Sequence, residues 1–334
     1  MNITPASSSS SPVSSAPESD PHVRRPEGAP ARVDATGRIR AVGGRALVLG
    51  GGGSTGNAWL IGVVAGLSRA GVDVTTADLT IGTSAGATAA AQLAGATPAE
   101  LLSASLVAVP PQGPVGPDGG HAPSGSVAVD LERFRAVIAS SEDLIDLRRR
   151  MGAAALDVAA ASDGSWQARW RTIVAARLPD HRWPGRVVVM TAVEARTGTP
   201  VVFDRHSGVE LVDAVAASTA GGGSAYDIAG VGYIDGGYRA NAENADLAAG
   251  YARVLVLSPL GGRSLYPVEW GTQLAAQVDA LRAAGSRVEV IVPDSGSEHL
   301  LGARAMDVSL RPAAARAGYE LGTARAEEVA ALWG

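Results

Sequence analysis

A serine flanked by glycines occupies residues 82–86 (GTSAG), which match the pattern G-x-S-x-G. The preceding segment 78–82 has the character of a short strand, and the Ala-rich segment 85–93 has that of a helix. Between a strand and a helix, this pattern is typical of a nucleophile elbow, a sharp turn that exposes a serine hydroxyl. Gly82 and Gly86 fit such a turn because side chains two positions from Ser84 would obstruct it. With 42 glycines in the chain, the pattern also arises by chance, so it does not identify a nucleophile by itself.

A glycine-rich loop at residues 50–56 (GGGGSTG) follows the apolar segment 45–49 and opens a second predicted helix. Its backbone N–H groups can bind an anion, including the oxyanion that forms during acyl transfer. The loop also fits the dinucleotide fingerprint G-x-G-x-x-G. That alternative needs an acid at the end of the second strand, whereas Asp78 lies at its start. A turn without a ligand is a third interpretation.

A carboxylate precedes two glycines in residues 233–237 (YIDGG). Taken alone, Asp235-Gly236-Gly237 is most simply an Asp-Gly turn. Its position after the glycine loop and the serine gives it a second interpretation, because a turn at a strand end can aim a carboxylate at a nucleophile. The combination therefore predicts that Asp235 is the base for Ser84.

With these three motifs in this order, residues 45–260 resemble the patatin-like phospholipase family. The resemblance implies a catalytic dyad of Ser84 and Asp235 without histidine, and hydrolysis of lipid acyl esters. It also implies an oxyanion hole whose donors we expect to be Gly51, Gly52, Gly53 and Ala85, and turn glycines at Gly82, Gly86, Gly236 and Gly237.

The chain departs from the family pattern in two places. Thr55 stands where the family often has arginine or lysine, just before the last glycine of the loop. In residues 217–223 (ASTAGGG), Gly222 stands where the family often has proline. Both departures leave open an alternative function, a catalytically impaired protein that binds lipids or acyl groups on the same fold. A nucleotide-binding oxidoreductase is the other alternative.

A triad would require a histidine, and the chain has five: His22, His121, His181, His206 and His299. His299 follows the last predicted strand, where a Ser-Asp-His order along the chain would place its base. The glycine loop precedes the elbow by only one helix and one strand, which fits that order poorly. The Ser-Asp dyad is therefore the preferred prediction.

The elements around the motifs alternate β-α-β-α from residue 45 to residue 95, which predicts a right-handed parallel unit. The expected fold class is three-layer α/β/α with a mainly parallel central sheet. Further strands are predicted at 186–193, 200–204, 253–257 and 287–292, and the strand at 200–204 is expected to be the hairpin partner of 186–193. Helices are predicted at 57–70, 131–161, 166–178, 209–218, 267–284 and 312–332.

Composition shifts divide the chain into segments. Residues 1–43 are rich in Ser, Pro and charge, which predicts a disordered tail. Residues 44–334 are expected to form one domain. Within it, the Pro/Gly-rich stretch 109–126 is predicted to be a flap over the site, and the region up to residue 185 its helical flank.

Residue types missing from the chain exclude several kinds of chemistry. There is no cysteine, which removes thiol nucleophiles, disulfides and Cys-ligated metals, and no lysine, which removes Schiff bases. The net charge of −5 argues against a nucleic-acid partner. We expect no metal or cofactor, a lipid or small ester as substrate, and transient contact with a membrane surface. Lacking a signal-peptide pattern and a transmembrane-length apolar run, the chain is expected to be cytoplasmic.

Overall fold

The computed structural model describes residues 34–39, 43–107, 127–221 and 223–334, and within them one mixed eight-stranded sheet forms the centre of the fold. The strands are β1 Arg45–Leu49, β2 Leu79–Gly82, β3 Val187–Glu194, β4 Pro200–Phe203, β5 Tyr226–Ile228, β6 Val231–Asp235, β7 Arg253–Leu257 and β8 Arg287–Ile291. Each strand in the sequence β5-β6-β3-β2-β1-β7-β8 is hydrogen-bonded to the next, and β4 pairs with β3 as its antiparallel hairpin partner. The run β3-β2-β1-β7-β8 is parallel throughout.

Helices flank this sheet on both faces. They are α1 Gly53–Arg69, α2 Ala85–Gly95, α3 Pro98–Leu106, α4 Val127–Ser140, α5 Leu144–Ala161, α6 Ser165–Arg177, α7 Leu211–Ser218, α8 Leu274–Ala283, α9 Arg311–Ala324 and α10 Ala326–Trp333. Among the described residues, no helix combines the length and the apolar character needed to span a bilayer.

Several predicted helix bounds were wrong. The predicted 131–161 segment is two helices, and the predicted 312–332 helix is interrupted at Arg325. The predicted 267–284 helix begins only at Leu274, because a 3-10 turn and Gly271 with φ +66° come first. Helix α3 was not predicted, although Thr97 and Glu100 form a capping box around Pro98, a signature visible in the sequence.

Alternate residues of each central strand face opposite helix layers. In β1, Leu47 and Leu49 pack in the core that contains Trp59 of α1, whereas Ala46 and Val48 pack in the core that contains Val278 of α8. These four side chains of β1 are each at most 1% exposed. Burial on both faces is the reason that these strands are continuous apolar runs rather than alternating ones. The three-layer α/β/α prediction is confirmed.

Strand β3 is the element that brings distant segments together. One of its edges pairs with β4. The other edge is shared: β2 covers Val187 to Met190 in parallel, and β6 covers Ala192 to Glu194 in antiparallel. Because β2 and β6 run in opposite directions along the same edge, their carboxyl ends meet opposite Thr191. The residues that follow β2 and those that end β6 are therefore forced into proximity.

The boundary of the predicted N-terminal tail was wrong. Asp34 to Ile39 are described, and Ala35 and Ile39 are 0% and 3% exposed. Arg38 donates to Asp204 at 2.8 Å, and the amide of Val202 donates to Asp34 at 2.8 Å. These contacts dock the segment onto β4, so ordered structure begins before residue 44. Residues 1–33 and the predicted flap at 109–126 lie outside the described residues.

Helices α1 and α9 cross at glycines. A methyl group at Gly62 would lie 2.9 Å from the backbone nitrogen of Tyr319, and one at Gly66 would lie 2.7 Å from that of Thr323. On the opposing helix, a methyl at Gly322 would lie 2.9 Å from the Cα of Val63. The two backbones are therefore in direct contact, which leaves no room for side chains. Since α1 begins at the glycine loop, this contact also fixes the direction from which the loop is presented.

We expect Gly62→Ala to lower the free energy of unfolding by ~1–3 kcal/mol, because the added methyl must push α9 away from α1. In an exposed helix the same change would be stabilising by about 0.8–1 kcal/mol, so the sign itself is diagnostic. Urea unfolding at equilibrium measures the difference. Ser68→Thr adds one methyl on the exposed face of α1 and is the matched control. A stabilised Gly62→Ala protein would contradict the close contact.

Candidate active site

Ser84 occupies the sharp turn between β2 and α2. Its backbone angles, φ of 54° and ψ of −115°, lie outside the regions that residues other than glycine normally adopt, so the turn is strained. A methyl at Gly82 would lie 2.6 Å from the Cα of Ala87, and one at Gly86 would lie 2.9 Å from the carbonyl oxygen of Gly50. Both glycines are therefore sterically required. The backbone amide of Ser84 donates to Ser218 Oγ at 3.0 Å, which helps to hold the turn.

Asp235, the last residue of β6, accepts a hydrogen bond from the hydroxyl group of Ser84. The distance from Ser84 Oγ to Asp235 Oδ2 is 2.8 Å, and the amide of Gly237 donates to Asp235 Oδ1 at 2.7 Å. Gly236 lies against the backbone of Thr191, where a side chain would overlap. One carboxylate oxygen is thus held by the turn while the other faces the serine hydroxyl.

The carboxyl group of Asp235 titrates well above its ordinary range. Asp235 retains some solvent exposure on the cleft side, but protein atoms surround its carboxylate. This desolvation raises its pKa to about 6, against the smaller lowering effects of the hydrogen bonds from Gly237 and Ser84. At neutral pH the group is still ionised and is a stronger base than an aspartate in water.

A buried polar network supports the elbow and the aspartate turn from below. Asn244 donates through Nδ2 to Thr83 Oγ1 and to the carbonyl of Gly236, both at 3.0 Å. Thr191 donates to the same Thr83 oxygen at 3.0 Å. Asn244 is held in turn by Asn241, whose side-chain Oδ1 accepts a hydrogen bond from the backbone N–H of Asn244 at 2.6 Å. Sequence reasoning missed this network, since threonines and asparagines outside a motif give no signal of a shared position.

The glycine loop faces Ser84, but one of its predicted donors is occupied. The amide of Gly51 donates to the carbonyl of Ala242 at 2.8 Å, so the prediction that Gly51 is an oxyanion donor was wrong for this arrangement. Gly53 and Ala85 begin α1 and α2, and Gly52 directly precedes α1. Amides at these positions have no acceptor within their own helices and lie at positive dipole ends. Gly52, Gly53 and Ala85 are therefore the candidates that the backbone leaves available.

Of the two departures from the family pattern, Thr55 lies within the described residues. Thr55 is fully buried, and among the described residues its Oγ1 has no hydrogen-bond partner. Its small side chain therefore brings no positive charge to the loop. Gly222 lies outside the described residues.

A cleft of about 300 Å³ opens over Ser84 and Asp235. Its wall is aromatic: Phe134 of α4 lies edge-on to Tyr238 and Tyr266, with ring centroids 5.8 and 6.1 Å apart. The outer lining comes from the loop after β7, including Leu260, Arg263 and Leu265. Among the described residues, the cleft is bounded by α4 and this loop, and the flap predicted at 109–126 lies outside them.

Within the described chain, no histidine donates to or accepts from Ser84 Oγ. His181 contacts the carbonyl of Ala175, and His206 contacts Arg205. His299 is exposed in a short 3-10 helix. His22 and His121 lie outside the described residues.

The chain belongs to the patatin-like phospholipase family, whose model matches residues 47–248, more than half of its length. This family comprises lipid acyl hydrolases. Among solved structures, the chain is similar to VipD from Legionella pneumophila, with 12% identity and a TM-score of 0.40 over 86% of this chain and 68% of VipD. No curated protein sequence matches the chain. The family assignment made from the three motifs is confirmed.

The raised pKa of Asp235 predicts a stability effect with a defined sign. The folded-state pKa of about 6 exceeds the ordinary value of 3.8, so folding favours the protonated carboxyl. That contribution is fully present below pH 3.8 and is lost as the pH rises through 6. Asp235→Asn should therefore be more stable than the wild type at pH 7, by ~1–3 kcal/mol, and the gain should vanish near pH 4.

Urea unfolding of both proteins at the two pH values measures this difference. Asp279→Asn, at an exposed position on α8, is the control that removes an equivalent charge without relieving desolvation. If Asp235→Asn gave the same stability difference at both pH values, the desolvation of Asp235 would be refuted.

Proposed function

We propose that this protein hydrolyses carboxylic acyl esters, of lipids or of small esters, through a Ser84–Asp235 dyad and an acyl-enzyme. The observation that supports it most is the 2.8 Å hydrogen bond between Ser84 Oγ and Asp235 Oδ2 on a strained elbow. Membership of a family of lipid acyl hydrolases supports the same reaction class.

In the first step, Ser84 Oγ attacks the ester carbonyl carbon while Asp235 accepts the hydroxyl proton. We assign the stabilisation of the oxyanion that forms to the amides of Gly52, Gly53 and Ala85, which lie at the starts of α1 and α2 and have no acceptor within their own helices. Collapse of the tetrahedral intermediate breaks the bond to the alcohol, which leaves with the proton from Asp235. The enzyme now holds its acyl group on Ser84.

In the second step, water attacks the acyl-enzyme while Asp235 again accepts a proton. Collapse of the second intermediate releases the carboxylic acid and returns the proton to Ser84 Oγ. Because the pKa of Asp235 is about 6, the free enzyme carries the ionised base at neutral pH. One carboxylate thus takes the role that a histidine has in a triad.

The lining of the cleft favours a substrate with an apolar acyl chain attached to the reacting carbonyl. Phe134, Tyr238 and Tyr266 form a continuous aromatic surface beside Ser84. Such a surface gains free energy from covering an apolar chain and offers few hydrogen bonds to a polar one.

The second candidate function is a protein that binds acyl groups without hydrolysing them. Thr55 favours it, because a buried neutral residue replaces the cation that the family often carries. Reaction with a fluorophosphonate separates the two, since only an activated serine is labelled.

We expect Ser84→Ala and Asp235→Asn each to lower kcat/KM for a chromogenic medium-chain ester by at least about a thousandfold, because both residues act in the same transition state. Fluorophosphonate labelling should be lost in Ser84→Ala. Ser264→Ala removes another hydroxyl that lines the cleft and should change kcat/KM only a few fold. Labelling and turnover that persist in Ser84→Ala would end this proposal, and unlabelled wild type would favour the binding protein.

Contact with a lipid surface is the proposed route to substrate. Exposed apolar side chains occur around the cleft opening: Leu265 lines it and is 43% exposed, and Val268 nearby is 77% exposed. Met306 is 67% exposed and lies against Gly53 of the glycine loop. Inserted into the interface of a bilayer, these side chains would bring the cleft to the level of the acyl esters.

We expect a double variant that carries Val268→Glu and Met306→Glu to hydrolyse phosphatidylcholine vesicles about tenfold more slowly or worse, because two charges would have to enter the lipid interface. Hydrolysis of a water-soluble ester should be unchanged. Val158→Glu, at a 51% exposed site on α5, is the matched control and should leave both activities intact. Equal losses on vesicles and soluble ester would place the effect in the cleft rather than at the membrane.

A further inference from the structure

A second cavity lies among α1, α3, α6 and α9, and it shares no lining residue with the Ser84 cleft. Its volume is about 270 Å³. Two arginines line it, Arg177 at the end of α6 and Arg311 at the start of α9. Most of the remaining wall is apolar and includes Ile61, Leu101 and Leu178. The cavity therefore combines two cations with an apolar wall.

The two guanidinium groups lack counter-ions within the described residues. Arg311 donates to the carbonyl of Ser54 at 2.7 Å, to Ser54 Oγ at 3.2 Å and to Asn57 Oδ1 at 3.2 Å, all of which are neutral acceptors. Arg177 lies over the ring of Trp170, with its Cζ 5.4 Å from the centroid. A guanidinium offers five N–H donors, so both groups retain donors for a further acceptor.

Electrostatics make this pairing costly unless an anion is present. Arg177 is an exposed residue and Arg311 is half-buried, and the partial desolvation of the two guanidinium groups lowers the pKa of each. The charge of Arg177 lowers the pKa of Arg311 further, so the two cations repel each other. A bound anion would remove the repulsion and supply charge-assisted hydrogen bonds.

The apolar wall specifies the rest of the ligand. A free inorganic anion would leave Ile61, Leu101 and Leu178 facing water, whereas an anion with a short hydrocarbon tail would cover them. At about 270 Å³ the space lies just below the roughly 300–1,000 Å³ of sites for drug-sized ligands, so the tail must be short. Arginine matches the planar geometry of a carboxylate.

We propose that this cavity is a binding site for the carboxylate of a medium-chain fatty acid, held between Arg177 and Arg311. Binding there does not require turnover at Ser84. The site would connect the ligand to the first turn of α1, because Arg311 holds Ser54 and Asn57 directly after the glycine loop.

Isothermal titration of the full-length protein with octanoate tests the proposal. We expect one site per chain that Arg177→Gln weakens at least about tenfold, since the variant loses a charged donor. Arg169→Gln removes an exposed charge from the same helix outside the cavity and should bind octanoate as the wild type does. Arg311→Lys keeps the charge but loses the planar fork, and should also weaken binding while the protein stays folded by circular dichroism.

Two further ligands separate the possible outcomes. Neutral octanamide should bind at least tenfold more weakly than octanoate, because it lacks the charge that two arginines require. Inorganic phosphate binding as tightly as octanoate would overturn the assignment of an amphiphile. Octanoate binding that Arg177→Gln leaves unchanged would place the ligand elsewhere, for example in the Ser84 cleft, and would overturn the site.

Discussion

The shared edge of β3 is the constraint on which the site depends. Two strands of opposite direction end along this edge. The last residue of β2 pairs with Met190 of β3, the last residue of β6 pairs with Ala192 of β3, and Thr191 lies between the two pairings. The hydroxyl of Thr191 bonds to Thr83, and Asn244 closes the gap by bonding to both Thr83 and Gly236. Backbone pairing and three buried side chains thus fix two turns that are 151 positions apart at their reacting residues.

The candidate dyad is maintained at a free-energy cost to the fold. Ser84 has strained backbone angles, and Asp235 is an acid whose ionised form is disfavoured by its surroundings. Such strain persists only when the surrounding structure over-determines it, which is the role we assign to the network of Thr83, Thr191 and Asn244. The same desolvation that destabilises the carboxylate makes it a stronger base than an aspartate in water, which is what the proposed mechanism requires of it.

Aromatic residues are scarce in this chain, at 4% of its residues, and several of them surround the cleft. Phe134 comes from α4, Tyr238 from the turn after β6, and Tyr266 and Trp270 from the loop after β7. Most of the core is instead built from Ala, Val and Leu. These rings give the cleft an apolar wall that small side chains alone would not provide.

The sequence alone determined the local chemistry: a strand, a glycine turn and a helix at residues 45–69, and the G-x-S-x-G elbow, because glycine spacing and apolar runs act over a few residues. It also determined the family and the three-layer class, since strands buried on both faces are continuous apolar runs. Only the tertiary structure decided that Gly51 donates to Ala242, that α4 supplies Phe134, and that Arg177 and Arg311 share a cavity. These pairings join segments far apart in the chain, and no local pattern encodes a contact whose partner is set by how layers pack.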